Sequence, residues 1–455
     1  MQIHSAMLIS DWLIWGLLTI TLITAAYMST QPHLREPWHR VFSRPANMVT
    51  FVVLMLFATI GLLASTHLEV THTDRLNGFK TSEVKTVLDI LITPLGQQDE
   101  KSYSAPLATK LYGVGEQPRL RFGGAHLQHP EQKTEDIVFR VFKGVISGTL
   151  LFAVFISVFC LIAALVSRRS WRQCFSVLMR GETLLAWRAA LMTLFAIVIL
   201  IAVIAQLATH YHLLGTNKIG HDVFYEALIS VRTGLLIGTL TTIFMLPLAL
   251  IFGTVAGFFG GVIDDLIQYL YTTLSSIPGV LLISASILVM QVYIANHPHL
   301  FPTLLQRADA RLLALCLILG ITSWAGLCRL LRAETLKLRE LEYIQAAKAF
   351  GVGKLTTIVR HILPNVMHIV LITIVLDFSG LVLAEAVLSY VGVGVDPTTA
   401  SWGNIINSSR MELAREPFVW WPLIAALIFM FSLVLSANLF ADAVRDAFDP
   451  RLRER

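Results

Sequence analysis

Residues 341–365 read LEYIQAAKAFGVGKLTTIVRHILPN. The stretch is polar and basic, yet long apolar segments flank it, at about 312–331 and about 366–393. Its first half reads as a helix, because Ile344, Ala347, Lys348 and Gly351 fall near one face at i, i+3, i+4 and i+7 spacing. Gly351 and Gly353 then break that helix. A second short helix follows, and Pro364 marks entry into the next apolar run, since proline is tolerated in a first helical turn. The expected product is a small helix-turn-helix at a membrane surface. Its small-residue face, Ala346–Ala347, lets another backbone come close. The alternative for the same residues is a plain hairpin joining two spans.

The composition explains why such a loop is needed. Of 455 residues, 55% are hydrophobic and only 14% charged, and the mean hydropathy is +0.68. Several apolar runs approach or exceed the roughly 20 residues that span a bilayer. Only helices and closed barrels satisfy their backbone in lipid, and the short alternating strands of a barrel are not evident. The fold class is therefore an all-α polytopic membrane protein. A net charge of +5 reads as membrane-loop arginines rather than as nucleic-acid binding. Cys160, Cys174, Cys316 and Cys328 lie in or beside apolar segments and imply no disulfide or metal framework.

Nine apolar runs are expected, near 7–28, 48–65, 141–166, 189–208, 234–259, 266–292, 312–331, 366–393 and 419–440. No basic residue precedes the first run, as a signal peptide would require, whereas Arg35, Arg40 and Arg44 follow it. It reads as an uncleaved helix with its N-terminus outside. Arg168, Arg169 and Arg172 after the third run, with Arg180 and Arg188 beyond, mark the inside again, so 167–187 is cytoplasmic, as a surface helix or a loop. Arg329, Arg332, Lys337, Arg339, Lys348, Lys354 and Arg360 place the 341–365 loop inside, and the charged tail 442–455 inside as well.

Between the second and third runs lies a polar insert, 66–138. It holds one amphipathic helix, expected near 82–92, with Val84, Val87, Leu88 and Leu91 on one face and Pro94 as its stop. The insert is either a small external cap or a lightly ordered loop. His126, His129 and the nearby acids lack metal-ligand spacing. Further on, Gly215 and Gly220 suggest a tight external turn, after which Asp222 can N-cap a helix carrying Val223, Phe224, Ala227, Leu228 and Val231. The eighth run contains Asp377 and Glu385. Ionisable residues inside a span are expensive and default to a functional reading. Eight residues apart, they stand roughly 80° apart on a helix, close enough to share an inward face. They line a translocation path or make packing contacts to a partner subunit.

Several segments together resemble the permease subunits of binding-protein-dependent ABC importers, in particular the oligopeptide and dipeptide permease C subunits (OppC/DppC-like). The family's cytoplasmic EAA loop runs E-A-A, three residues, G, nine residues, I-x-L-P. Here Gln345-Ala346-Ala347, Gly351 and His361-Ile362-Leu363-Pro364 keep that spacing, with Gln345 in place of the acid and His361 in place of the isoleucine. Gly215-Thr216-Asn217 through His221-Asp222 resembles the family's G-T-D-x-x-G-R-D segment, with Asn217 and His221 substituted. Similar too are Ser275-Ser276-Ile277-Pro278-Gly279, the 384–394 segment AEAVLSYVGVG, Trp402-Gly403-Asn404 and the tail 444–452, VRDAFDPRL. The resemblance is continuous from 186 onward, and three helices with the insert precede it.

The resemblance implies a type I ABC importer permease fold of about six core helices in 186–455, with about three additional N-terminal helices in 1–185. It implies a transport subunit without its own ATPase site in a bacterial inner membrane. Its partners would be a homologous B-type permease, two ABC ATPase subunits, a periplasmic substrate-binding protein and the lipid bilayer, with no nucleic acid and no cofactor or metal. The coupling positions would be Gln345, Ala346, Ala347, Gly351 and Pro364, with Asp377 and Glu385 as the path or subunit-contact residues. Oligopeptides are the first substrate expectation, ahead of dipeptides, nickel complexes, peptide antibiotics and glycosides. Gly351-Val352-Gly353-Lys354-Leu355 only superficially resembles a phosphate loop: position 348 is lysine where a glycine is required, and Leu355 stands where Ser or Thr is required. No catalytic constellation is evident. The alternative function is a proton-coupled secondary transporter using Asp377 and Glu385, a class that often shows internal repeats, which this chain lacks.

Overall fold

The computed structural model describes residues 2–73, 80–96, 98–113, 117–127, 129–167, 170–181 and 183–448. Arg168, Arg169 and the tail residues 449–455 therefore lie outside the described residues. In chain order the elements begin with strand β1 (Gln2–Ser5) and helices α1 (Ile9–Thr30), α2 (Pro32–Ser43) and α3 (Pro45–Ala64). Strands β2 (His67–Thr73) and β3 (Lys80–Thr86) and the short helices α4 (Val87–Leu91) and α5 (Thr93–Gly96) follow. Then come α6 (Lys133–Ser167), α7 (Trp171–Arg180), α8 (Trp187–Ala208), α9 (Val223–Phe259), α10 (Gly261–Ser276), α11 (Gly279–Asn296) and α12 (Leu304–Leu338). The remainder is α13 (Glu342–Ala349), α14 (Lys354–Thr357), a π-turn (Ile358–Ile362), α15 (Leu363–Tyr390), α16 (Trp402–Glu412) and α17 (Trp421–Phe448).

Among the described residues, nine helices are long and apolar enough to cross a membrane, as the nine apolar runs predict. Three boundaries differ from the sequence expectation. The sixth run is cut at Ile277–Pro278 into α10 and the span α11. Proline disfavours helical backbone in the residue before it, and Ile277 is extended at φ −87°, ψ 132°. The helix capped by Asp222 does not end before the fifth span; the two form the single 37-residue α9. The amphipathic helix expected at 82–92 is instead strand through Thr86 and helix only over Val87–Leu91. The reason is long-range pairing: β3 runs antiparallel to β2, with Val84 opposite Glu69 and Thr86 opposite His67. Thr86 then starts α4 through a capping box, its hydroxyl accepting from Asp89 N (3.0 Å) while Asp89 accepts from Thr86 N (2.9 Å). Pro94, expected as a stop, falls inside the next turn, α5.

The chain divides into two compact units. The first comprises Met1–Met7, Leu17–Arg232 and Ala400–Ala443. Its sheet has the order β1-β2-β3, antiparallel throughout. Helices α6 and α8 pack backbone to backbone there. A Cβ on Gly144 would stand 2.7 Å from Val203 Cα, and one on Gly148 would stand 3.0 Å from Ile199 Cα. Phe51 lies between Phe42 (4.9 Å) and Phe440 (5.7 Å), holding α3 between α2 and α17.

The second unit comprises Leu8–Gly16, Thr233–Thr399 and Val444–Arg455. Two buried apolar clusters fill it. One gathers Leu236, Leu240, Ile287, Leu315, Leu319 and Leu388. The other gathers Met245, Phe258, Leu331, Ile344, Ile358, Ile362 and Val366. Helix α12 contributes to both, and it crosses α9 along a glycine seam. A Cβ on Gly253 would meet Cys328 O at 2.9 Å, one on Gly257 would meet Arg332 O at 2.7 Å, and one on Gly320 would meet Thr241 O at 3.0 Å. Glycine is required where two helix backbones approach this closely.

Candidate functional site

The 341–365 segment is built onto the end of α12 and α9. Leu341 is the extended N-cap of α13. From it Ile344 turns inward and is fully buried with Phe258, Leu331, Ile358, Ile362 and Val366. At the other end of α13, Gly351 adopts φ +78°. Its N–H donates to Lys348 O (3.0 Å), and Val352 N donates to Ala347 O (3.0 Å). This is a Schellman stop, which needs a left-handed residue and so favours glycine. A Cβ at Gly351 would touch nothing, so the requirement is conformational rather than steric. Gly353 has an ordinary negative φ and serves as N-cap of α14, with its carbonyl accepting from Thr357 N (3.0 Å). Leu363 then starts α15, with Pro364 in its first turn as the sequence implies.

Three cations collect at the C-terminal end of α9. The Lys348 ammonium stands over Phe258 (4.8 Å to the centroid) and that of Lys354 over Phe259 (5.4 Å). Arg339 Nη1 donates to Gly257 O (3.3 Å). The two lysines gain from the aromatic face beneath them, and all three cations gain from the negative pole of the helix. Nearby, Arg332 grips Asp264 of α10 with two bonds, Nε to Oδ1 (2.5 Å) and Nη2 to Oδ2 (2.7 Å). That paired guanidinium holds the Asp264 carboxyl below the usual carboxylate range, more than offsetting the burial that works to raise it.

Of the residues the sequence singled out here, Gln345, Ala346, Gly351 and Pro364 are exposed and Ala347 is half-buried. Gln345 Nε2 donates to Glu340 O (3.1 Å), so it serves the local turn and makes no ion pair. Two residues whose exposure sequence reasoning did not anticipate stand out. Phe350 is 88% exposed and Leu355 is 75% exposed, on either side of the Gly351 turn. Their signal was present as large apolar side chains in a polar loop, off the face that carries Ile344.

Within α15 the two acids differ. Glu385 is buried, and its Oε1 accepts from Ser389 Oγ (2.7 Å). Behind it the helix ends in a second Schellman stop: Gly392 has φ +87°, its N–H donates to Ser389 O (2.9 Å), and Val393 N donates to Leu388 O (2.9 Å). Gly394 crosses so tightly over this end that its Cβ would fall 2.0 Å from Ser389 Oγ. Asp377 is half-buried and has no hydrogen bond or ion pair among the described residues. Its neighbour Phe378 packs on Gly238 of α9, 2.5 Å from where a Cβ would be.

In the first unit, the turn that precedes α9 receives the insert. Gly215 (φ +71°) and Gly220 (φ +94°) lie against main chain: a Cβ would stand 2.2 Å from Ser104 O and 1.9 Å from Glu100 O. Thr216 Oγ1 accepts from Ser104 N (2.7 Å) and donates to Ser102 O (2.8 Å). Thr216 O accepts from Trp421 Nε1 (2.9 Å). Asp222 caps α9 as the sequence implies, accepting from Tyr225 N (3.0 Å), and its other oxygen faces His212 Nδ1 (2.8 Å). The two substituted positions are also used. Asn217 Oδ1 accepts from Ile219 N (2.9 Å) and His221 N (3.1 Å), and His221 pairs with Asp99 (2.7 Å).

Comparison with known proteins bears on the same segments. Residues 249–454 match the family described as "Binding-protein-dependent transport system inner membrane component". The chain is 30% identical over 243 residues to the oligopeptide transport system permease protein OppC of Haemophilus influenzae, covering 53% of this chain and 71% of that protein. It is 32% identical over 242 residues to OppC of Mycobacterium tuberculosis (53% and 77%). It is 27% identical over 242 residues to the dipeptide transport system permease protein DppC of Bacillus subtilis (53% and 69%).

Proposed function

The chain belongs to the family of binding-protein-dependent transport system inner membrane components, and from that premise we propose that it forms half of a peptide path and is driven by ATPase partners through its 341–365 loop. It is a multi-pass inner-membrane permease subunit of an importer of the OppC/DppC type. The importer reading is thereby preferred to the proton-coupled one. Peptide as the cargo is inferred from the relatives, which are named as oligopeptide and dipeptide permeases.

The observation that carries the coupling reading is the pairing of anchor and display in one short loop. Ile344, Ile358 and Ile362 fix the loop in the core of the second unit. Phe350 and Leu355 remain in the open. A large exposed aromatic and a leucine flanking a tight turn fit a docking surface. The partners we propose are two ATPase subunits against this loop, a homologous B-type permease beside the spans, and a substrate-binding protein on the opposite side. ATP-driven movement of the loop then biases α12 and α15 between inward- and outward-open arrangements, because both helices are continuous with it. The exposed arginines that follow α1, Arg35, Arg40 and Arg44, support an N-terminus outside and a coupling loop inside.

We divide the chain functionally into an extension, 1–185, and a permease, 186–455. In the proposed orientation the insert 66–138 is external and docks on the turn before α9 as a small cap on that turn. Asp377 is assigned to the path and Glu385 to packing, since Glu385 has a hydrogen-bonding neighbour in its own helix. The test is uptake of a labelled tripeptide and a labelled dipeptide by cells lacking this chain, with and without its restoration. Restored uptake of either supports a peptide permease. Unrestored uptake of both, with the chain present in the membrane, overturns the cargo assignment.

A further inference from the structure

A cavity of about 570 Å³ opens in the first unit where α1 ends and α2 begins. Two arginines of α2 line it, Arg35 and Arg40. Arg35 uses its Nε toward His39 (3.1 Å), and Arg40 uses Nη2 toward Glu36 (2.6 Å). The remaining guanidinium N–H groups of both have no partner among the described residues. With one acid against two permanent cations, the cavity attracts an anion.

The other wall is hydroxylic, and the direction of its hydrogen bonds is informative. Ser29 Oγ donates to Ala26 O (2.7 Å), Thr30 Oγ1 to Tyr27 O (2.7 Å) and Ser43 Oγ to Arg40 O (2.9 Å). Each of these hydroxyls keeps a lone pair free to accept from a visitor. A fitting ligand therefore combines a phosphate, for the arginines, with hydroxyl donors, for Ser29, Thr30 and Ser43.

The approach to the cavity is apolar. Ile20, Ile23 and Tyr27 are each more than 60% exposed, and with Thr30 they form one stripe along α1 at i, i+3, i+7 and i+10. Leu184, at the cavity rim, is likewise exposed. In a membrane span such a stripe is an acyl-chain track, and it leads directly to the hydroxyl wall. We propose that this cavity binds the headgroup of an anionic glycerophospholipid of the phosphatidylglycerol class, with an acyl chain along Ile20, Ile23 and Tyr27. Arg35 and Arg40 hold the phosphate, while the terminal glycerol donates to the three hydroxyl oxygens. The chain's extension thereby carries a lipid site.

The experiment is native mass spectrometry of the purified importer, released from membranes of mixed phosphatidylglycerol and phosphatidylethanolamine, with wild type compared to an Arg35→Gln/Arg40→Gln variant. Retained phosphatidylglycerol is expected on wild type and reduced on the order of tenfold or more on the variant. Inorganic phosphate added at millimolar level is expected not to displace the lipid; displacement without lipid retention assigns the site to a free anion and overturns the proposal. Equal retention of phosphatidylethanolamine also overturns it. Because the double variant can misassemble, a photoactivatable phosphatidylglycerol is applied to wild type alone. Peptide mapping is expected to find the label within 20–43, and labelling confined to other spans contradicts the site.

Discussion

The ammonium of Lys348 stands 4.8 Å from the centroid of the Phe258 ring, and this contact ties α13 of the 341–365 loop to the end of α9. Lys354 over Phe259 repeats the arrangement on the far side of the Gly351 turn. The basic residues of the loop are thus partly engaged with their own chain. A double-mutant cycle measures the tie. Lys348→Met and Phe258→Leu should each lower thermal stability in detergent, and the pair should show a coupling of about 0.5–1 kcal/mol. Strict additivity would remove the contact from the account.

Substitutions at Gly351 separate conformation from space. Its φ of +78° disfavours residues with a Cβ, yet a Cβ there meets nothing. Gly351→Asn, which tolerates the left-handed region, should retain most transport. Gly351→Ala should cost about 1 kcal/mol in loop stability, and Gly351→Val more. Uptake rates at matched membrane levels rank the three. A ranking that follows side-chain size alone, with Ala above Asn, would contradict the Schellman reading.

At the seam between α9 and α12 the constraint is steric. Gly257→Leu must displace the Arg332 carbonyl and Thr335, at a cost of about 1–3 kcal/mol for overpacking. Thermal unfolding of the purified importer should fall accordingly, with assembly reduced. Gly326→Leu is the control, since a Cβ there has open space and stability should stay nearly unchanged.

The two intramembrane acids should part company on mutation. Glu385→Ala leaves Ser389 without its buried partner and should cost about 1–3 kcal/mol of stability. Asp377→Asn should leave melting within about 0.5 kcal/mol of wild type while lowering uptake of a cationic peptide more than that of an acidic one. Equal loss for both peptides would place Asp377 outside the path.

The insert should loosen in acid. His210 sits beside Arg140 (3.0 Å) and near the His126 ring (4.6 Å between centroids). Burial, and then the Arg140 charge, hold its pKa below the ordinary histidine value. Such a group binds its proton more readily when unfolded, so stability is full above the unfolded value near 6.5 and declines as pH falls below it. Hydrogen-exchange protection across 117–127 and 209–213, measured relative to the intrinsic rate at each pH, should fall between about pH 7 and pH 5, and His210→Gln should flatten that fall. Protection that increases on acidification would reverse the sign and contradict the argument.

Local patterning accounts for most of what the sequence made legible. Hydropathy located the nine spans, and the spacing of Ile344, Ala347 and Lys348 identified the first helix of the loop, α13. What it hid depends on contacts far apart in the chain. Val84, Val87, Leu88 and Leu91 satisfy helical spacing, but β2 claims the first of them for a strand. Gly220 reads as a turn residue, and nothing nearby discloses that Glu100 passes over it. The display of Phe350 and Leu355 was not anticipated because exposure is a property of the folded loop.

The most direct test of the coupling claim is affinity capture of the tagged chain from native membranes, comparing wild type with a Phe350→Asp/Leu355→Asp variant. Both side chains are exposed, so the variant should fold and keep its companion permease. The account predicts ATPase subunits with wild type and their loss, by tenfold or more, with the variant, as ~1.4 kcal/mol or more of lost apolar contact requires. ATPase subunits recovered equally with both, or absent from wild type in mild detergent, would contradict it.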